Sequence, residues 1–220
     1  MKYSVTCKKN TPMNDYIYGD CFTHLEKSKQ KFDLILTSVP DMFEINMALQ
    51  EYQHTFLPKV VKLVGDLIKD DKFVVFCQTD RKIEGTIFPK HIHIIEAMLQ
   101  SGFILKDYKI LLRSDIASKD LYRLTYSHVL FFTMKGKFKA LEPEMKQHVL
   151  ISKFPKNKNY WAEDFPTLIV RNLTGLGEIV LDPFAGRGTV LKCARDLGRQ
   201  YLGFEIDTKV YREGVEYMGD

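Results

Sequence analysis

Two stretches of this 220-residue chain carry residue types whose order can do chemistry. The first is Asp182-Pro183-Phe184-Ala185-Gly186-Arg187-Gly188-Thr189. It lies between the apolar run Ile179-Val180-Leu181 and a segment, Gly188 to Leu197, with helical spacing of apolar residues. Glycines at a strand-to-helix turn let the backbone approach a ligand and expose N–H groups at the helix start. A further strand signal, Tyr201-Leu202-Gly203-Phe204, ends at Glu205, a carboxylate placed to accept hydrogen bonds from a ribose diol. Strand, glycine turn, helix, strand and acid describe a nucleoside-binding βαβ unit. A lone Gly-x-Gly can also be a structural turn whose glycines serve only tight packing.

The second stretch lies upstream. Tyr18-Gly19-Asp20-Cys21 is followed by the strand-like Phe32-Asp33-Leu34-Ile35-Leu36-Thr37 and then by Ser38-Val39-Pro40-Asp41. Read alone, Ser38 is a hydroxyl that closes a strand, a common structural use of serine. Gln78-Thr79-Asp80-Arg81 ends another strand on the edge where ligands sit in open α/β sheets, which makes Asp80 and Arg81 candidate substrate contacts. The six histidines show no metal-ligand spacing. His91 and His93 are two apart and would face different ways on a helix, so no metal is expected.

Seven β-like runs position these residues: Tyr16–Tyr18, Phe32–Thr37, Phe73–Cys77, Phe103–Leu112, Val129–Thr133, Ile179–Leu181 and Tyr201–Glu205. Several are continuously apolar, as in strands covered on both faces. Helical patterns over Met47–Leu67, His91–Leu99, Asp164–Leu173 and Gly188–Leu197 alternate with them, which predicts a doubly wound α/β sheet. The polar stretch Arg113 to Ser127 reads as a long connection between two antiparallel strands. Lys135 to Lys158 is basic and loop-like, with Pro143 and Pro155, and reads as a mobile insertion in a single domain over 1–220.

Taken together, Asp-Pro-Phe-Ala-Gly-x-Gly-Thr at 182–189, Gly-Phe-Glu-Ile-Asp at 203–207 and Ser-Val-Pro-Asp at 38–41 resemble the motifs of amino-methylating DNA methyltransferases. The order, catalytic motif first and cofactor motif second, is that of the circularly permuted β class. All seven runs have a counterpart in that fold. The resemblance implies a Rossmann-like, S-adenosylmethionine-dependent methyltransferase fold: a seven-stranded mixed sheet with helices on both faces. It further implies methyl transfer from S-adenosyl-L-methionine to an exocyclic amine of a nucleobase, cytosine N4 or adenine N6 in DNA. RNA, or a non-catalytic nucleic-acid-binding subunit of the same fold, are the alternatives. Leu191 stands where a nicotinamide enzyme would show its third glycine, which favours S-adenosylmethionine over a dinucleotide.

Carried over residue by residue, the resemblance assigns Asp182, Pro183, Phe184, Ala185, Gly186, Gly188 and Thr189 to the cofactor, with Asp182, Phe184 and Gly186 lining its methionine and adenine regions, and Glu205 to the ribose. Asp20 would meet the adenine, or serve as a turn carboxylate. The segment through Trp161 and Phe165 would cap the methionine end, or supply core aromatics.

The exocyclic amine is a poor nucleophile because its lone pair is delocalised into the ring. Accepting hydrogen bonds from both amine hydrogens favours a pyramidal nitrogen, and positioning and electrostatics supply the acceleration. Ser38 offers a side-chain oxygen, Val39 a backbone carbonyl, and Pro40 matches the second proline of the family motif. Asp41 departs from it, an anion where a stacking aromatic is expected; Phe43 or Met42 can take over the stacking on a flipped base. Asp41 then recognises a donor on the substrate, removes a proton from a ring nitrogen, or marks an inactive site.

Composition sets the outer limits. The net charge of +4 and pI near 8.7 admit nucleic acid without requiring it. Four scattered cysteines (Cys7, Cys21, Cys77, Cys193) suit neither a zinc site nor a disulfide scaffold and point to a reducing compartment. No signal peptide and no bilayer-spanning run is read, so an intracellular location, cytoplasmic or nuclear, is expected. Lys153 to Trp161 interleaves bases with aromatics, as in a phosphate-and-base contact or a solvated loop. Little of the chain is left for target recognition, so sequence specificity is expected to be short, or to be supplied by a homodimer or second subunit.

Overall fold

The computed structural model describes residues 13–113, 124–152 and 161–219. In chain order the elements are β1 (Asp15–Tyr18), α1 (Cys21–Leu25), β2 (Phe32–Thr37), α2 (Leu49–Glu51), α3 (Leu57–Leu67), β3 (Ile68–Gln78), β4 (Arg81–Ile83), β5 (Thr86–Phe88) and α4 (Lys90–Gln100). There follow β6 (Ile104–Arg113), β7 (Tyr126–Thr133), β8 (Val149–Ser152), α5 (Asp164–Leu173), β9 (Ile179–Asp182), α6 (Thr189–Asp196), β10 (Gln200–Glu205) and α7 (Thr208–Met218). A π-turn over Tyr52–Phe56 joins α2 to α3 without a break, so the helical pattern read from Met47 to Leu67 is one rod with a local widening.

The main sheet runs β1-β10-β9-β2-β3-β7-β6-β8. Its neighbours are parallel except where β7 enters, antiparallel to both β3 and β6. Every residue of β2 is buried, which is why its sequence is an almost unbroken apolar run. On one face Ile35, Val74, Phe76, Leu130 and Phe132 pack under Val60 and Val64 of α3 and Ile94 and Met98 of α4. On the other, Leu34, Leu36, Val75, Phe131 and Val180 meet Ile169 and Val170 of α5 and Val190, Leu191 and Ala194 of α6.

The sheet has eight strands where the sequence predicts seven. The additional one, β8, forms the edge of the sheet and pairs in parallel with β6 through Ile110–Val149 to Arg113–Ser152. It buries Leu150 and Ser152 and turns Val149 and Ile151 outward, so four residues carry too little alternation to stand out in a lysine-rich stretch. It lies inside the expected insertion at 135–158, whose described part also holds a 3₁₀ turn over Glu144–Lys146 seated on buried Met145; residues 153–158 lie outside the described residues. The long connection expected after β6 does join two antiparallel strands, though its residues 114–123 also lie outside the described ones. A separate hairpin, β4–β5, turns through Glu84 and Gly85, both at positive φ, as a two-residue turn of the primed type requires.

Two short signals account for helices absent from the sequence reading. Asp20 caps α1 by accepting from Phe22 N at 3.0 Å, and Asp207 caps α7 by accepting from Lys209 N at 2.8 Å and Val210 N at 2.9 Å. Among the described residues no helix is long and apolar enough to cross a membrane, and Cys21, Cys77 and Cys193 are buried thiols outside any disulfide.

Gly203 of β10 has no room for a side chain. A Cβ there would stand 2.8 Å from Leu191 Cδ2 and 3.0 Å from Ala185 Cβ, wedging α6 and the turn before it off the sheet. Gly203→Ala is expected to cost about 1–3 kcal/mol by overpacking, read as a lowered urea midpoint at unchanged m-value.

Candidate active site

The parallel strands deliver their C-terminal ends to one edge: Tyr18, Glu205, Asp182, Thr37 and Gln78. Because β7 runs the other way, its beginning, Ser127 and His128, arrives at that same edge. The residues singled out in the sequence are therefore gathered by topology.

Between β9 and α6 the chain makes the glycine-rich turn. Gly186 and Gly188 have φ of 54° and 77°, a region that costs other residues strain. A Cβ on Gly186 would meet nothing within 4 Å, so open space lies over the backbone there. A Cβ on Gly188 would stand 2.7 Å from Met218 Sδ, which makes that glycine a packing requirement of α7. The turn is pinned from several sides. Ala185 N donates to Phe204 O and Gly188 N to Ala185 O, each at 2.8 Å, and the Tyr16 hydroxyl donates to Gly186 O through a very short bond.

Glu205 accepts from Gly186 N at 3.0 Å and from Asp207 N at 2.7 Å. A carboxylate has about four lone-pair sites, so acceptor capacity is left for a ligand. Burial pushes its pKa up, against those backbone bonds. Asp20 ends up beside it, since Tyr18 and Glu205 are register partners and Gly19 N donates to Glu205 O at 2.9 Å. Phe184 packs its ring between Phe22 and Phe56, 6.2 Å from each.

Asp182 is 3% exposed. Its Oδ1 accepts from Thr37 Oγ1 at 2.7 Å and from Phe184 N at 3.1 Å. Burial drives its pKa up to about 7, with a further push from the Glu205 charge, while the two hydrogen bonds hold it back. Thr37 is the residue immediately before Ser38, so this bond ties the glycine turn to the second motif.

Beyond Thr37 the chain leaves the sheet. Ser38 is partly exposed, and its hydroxyl has no hydrogen-bond partner among the described residues. Val39 is buried, and its carbonyl accepts from Lys90 Nζ at 3.0 Å. Pro40 O accepts from the fully buried Tyr52 hydroxyl at 2.7 Å. Asp41 sits between two cations, 2.7 Å from Lys90 Nζ and 2.5 Å from Arg81 Nε. Its backbone N–H donates to Glu44 Oε2 at 2.8 Å. Phe43, two residues on, is 58% exposed and has its ring free to stack.

Arg81 and Asp80 point to different partners. While Arg81 reaches Asp41, Asp80 accepts from His91 Nδ1 at 2.9 Å and lies 3.3 Å from His128 Nε2. The Tyr108 hydroxyl engages the other ring nitrogen of His128 at 2.5 Å. Burial works to raise the Asp80 pKa, but the bonds from His128 and His91 outweigh it and hold the carboxyl well below its usual range. Spacing along the chain gave no hint of this cluster, because β7 and α4 bring the histidines together only in three dimensions. One carboxylate oxygen and two ring nitrogens here lie within 4.8 Å of one another, donor types that suit a transition metal. A nitrogen lone pair lies in its ring plane, however, and the two rings stack 3.7 Å apart within 9° of parallel. No single ion can lie in both planes, so the geometry is that of two imidazoles sharing one carboxylate.

Lys90, Tyr52 and Thr37 are the site residues the sequence reading missed. Lys90 shares one face of α4 with buried Ile94 and Met98, four and eight residues on; a lysine on an apolar stripe was the available signal. Trp161 and Phe165 pack edge to face at 5.2 Å within the core layer on the α5 side. Of the basic-aromatic stretch 153–161, all but Trp161 lies outside the described residues.

The profile of the DNA methylase family, comprising N6 and N4 methyltransferases, matches residues 32–216. The chain belongs to that family. It is 27% identical over 164 residues to the type II methyltransferase M.MjaI of Methanocaldococcus jannaschii, covering 58% of this chain and 54% of that protein. It is 40% identical over 68 residues to M.HindIII of Haemophilus influenzae, covering 29% of this chain and 22% of that one. The chain thus spans about half, or less, of the length of these relatives. Among solved structures, the PvuII cytosine-N4-specific DNA methyltransferase superposes with a TM-score of 0.76 at 16% identity, over 91% of this chain and 84% of that one. A DNA modification methylase of Thermus thermophilus, complexed with S-adenosyl-L-methionine, superposes with a TM-score of 0.75 at 20% identity, over 93% and 92%. The fold is therefore the Rossmann-like methyltransferase α/β sheet.

The buried Thr37–Asp182 pair generates two expectations. Thr37→Val leaves the carboxyl one donor short and should cost about 1–3 kcal/mol, measured by urea denaturation. With a folded pKa near 7 against an unfolded value of 3.8, Asp182 binds more protons folded than unfolded, so its contribution to stability falls as pH rises from about 4 to 7. Asp182→Asn keeps an acceptor oxygen and removes this slope. Its stability relative to wild type should improve by roughly 2 kcal/mol between pH 5 and 8.

Proposed function

We infer that the chain is an S-adenosyl-L-methionine-dependent methyltransferase acting on an exocyclic amine of a base in DNA, cytosine N4 or adenine N6. The observation that carries the reading is the bonded junction of the two motifs. Thr37–Asp182 sets the strand that leads into Ser38 beside the glycine turn, so a nucleoside held at the turn and an amine held at Ser38 and Val39 would be neighbours.

The residues present fit the cofactor. Gly186 leaves open space over its backbone, Glu205 keeps acceptor capacity for a ribose diol, and Asp20 and Phe184 lie alongside. Asp182 offers a carboxylate toward a cationic amino group. When bound, the cofactor would supply a methyl group on a sulfonium; its transfer forms an N–C bond, breaks the S–C bond to release a thioether, and the surplus proton on the methylated nitrogen passes to solvent. The Ser38 hydroxyl and the Val39 carbonyl accept the two amine hydrogens and favour the pyramidal nitrogen. Phe43 stacks on the extruded base. The Asp41 charge is neutralised by Lys90 and Arg81, which favours a structural role for it over that of a base. Sequence recognition in the duplex falls to a second copy of the chain or a partner subunit, and a DNA substrate implies an intracellular location.

The test is calorimetry with S-adenosylmethionine and its demethylated product, followed by transfer of a labelled methyl group to DNA, RNA and nucleoside pools. Binding and transfer to DNA are expected; transfer only to RNA would move the substrate, and absence of binding would overturn the reading. Ser38→Ala should lower kcat by roughly a hundredfold while leaving cofactor affinity unchanged.

A further inference from the structure

Lys90 opens α4, yet its side chain is 4% exposed. A buried ammonium needs partners to offset its lost hydration. Its Nζ donates to Val39 O at 3.0 Å and to Asp41 Oδ1 at 2.7 Å. An ammonium has three N–H donors, so among the described residues one is left for a ligand.

We propose that Lys90, together with the Val39 carbonyl, reads the Watson–Crick edge of the target base and is a specificity-determining residue. The proposal rests on the reading above, in which Val39 O accepts an N–H of the target amine. On that edge an amino base, adenine or cytosine, presents an amine N–H donor beside a ring-nitrogen acceptor. The site presents the complement side by side: a carbonyl acceptor and, 3.0 Å from it, an N–H donor. With each new hydrogen bond about 2.9 Å long, and the two base atoms separated by a single ring carbon, the four heavy atoms close a compact ring. Thymine and guanine carry the opposite order, a carbonyl where the amine would be and an N–H where the ring acceptor would be. Oxygen would then face oxygen and N–H would face N–H, leaving buried polar groups unpaired at a cost. The pair admits amino bases and rejects keto bases.

Asp41 belongs to the same device. Its carboxylate, shared with Arg81, keeps the Lys90 ammonium at the floor of the motif. An aromatic residue at position 41 could stack on a base but could not offset that charge.

The test replaces the ring nitrogen itself. Duplexes carrying a site that the wild-type protein methylates are prepared with the target base as such, or with its 1-deazaadenine or 3-deazacytosine analogue, in which C–H stands for the acceptor nitrogen. The wild type should lose roughly ten- to a hundredfold in kcat/KM on the analogue. Lys90→Met should lose a similar factor on the natural base and show, on the analogue, no loss beyond the analogue's intrinsic change in amine reactivity, while Lys90→Arg, which keeps a donor, should retain discrimination. The altered reactivity of the analogue's amine is common to all variants and cancels in the ratio. Circular dichroism and cofactor calorimetry establish that each variant is folded. Should Lys90→Met alone fail to fold, the double variant Lys90→Met/Asp41→Asn, which removes both charges, carries the comparison. Equal use of base and analogue by the wild type, or undiminished discrimination by the methionine variant, would overturn the proposal. Absence of transfer to any DNA by the wild type would show itself before any variant is made, and would bring down the underlying reading with it.

Discussion

The hydrogen bond from Thr37 to Asp182 joins residues 145 positions apart at the ends of two neighbouring parallel strands, β2 and β9. One strand leads to the glycine-rich turn and the other to the Ser38 motif, so the relative placement of both depends on it. It also sets the protonation behaviour of the site. A carboxyl this deeply buried would prefer to be neutral, and only the Thr37 hydroxyl and the Phe184 N–H keep its pKa from rising further. A ligand that places a cation near Asp182 would draw the proton off it. Ligand charge at this position and the local acid–base state would therefore be linked through one side chain.

A second constraint acts just beyond the sheet edge. The segment from Ser38 to Asp41 has left the ladder, and side chains hold it in place of strand partners. Tyr52 holds Pro40, Lys90 holds Val39, and Lys90 and Arg81 together hold Asp41. These come from the π-turn before α3, from α4 and from the hairpin β4–β5, three elements on one side of the sheet. The widened turn places Tyr52 in the core with its hydroxyl at the motif. The motif is thus fixed by buried polar groups rather than by the rigidity of a proline pair, which fits the presence of Val39 where the family motif has proline.

The βαβ unit around the glycine turn was legible in the sequence because each of its parts is local: an apolar strand, glycines at positive φ, a helix with one apolar face, a terminal acid. The central strands were legible for the same reason, since burial on both faces leaves uninterrupted runs such as Phe32–Thr37 and Phe73–Cys77. What escaped depends on contacts distant in sequence. β8 exists because β6 offers it an edge, and its four residues carry too weak an alternation to announce it. The cations that hold Asp41 lie 40 and 49 residues away, and Asp80 reaches His128 on a different strand. An aspartate in place of an aromatic read only as a departure from the motif, because the cations it pairs with lie elsewhere in the chain. Lys90 was visible as a lysine on an apolar stripe, but its meaning required knowing what lay beneath it.

The pairing of β1 with β10 bears on how the molecule comes into being. Residues 15–18 lie in register with 202–205, so the edge strand beside Glu205 is drawn from the opposite end of the described chain. During synthesis β1 must wait for the whole stretch through β9 before its neighbour exists, a large sequence separation that slows assembly. The corner where Tyr18 and Asp20 meet Glu205 is therefore among the last parts of the described chain that can form. A chain interrupted before β10 could hold most of the sheet and still leave β1 without its neighbour, so the pairing of these two strands would report on synthesis through residue 205 as well as on folding.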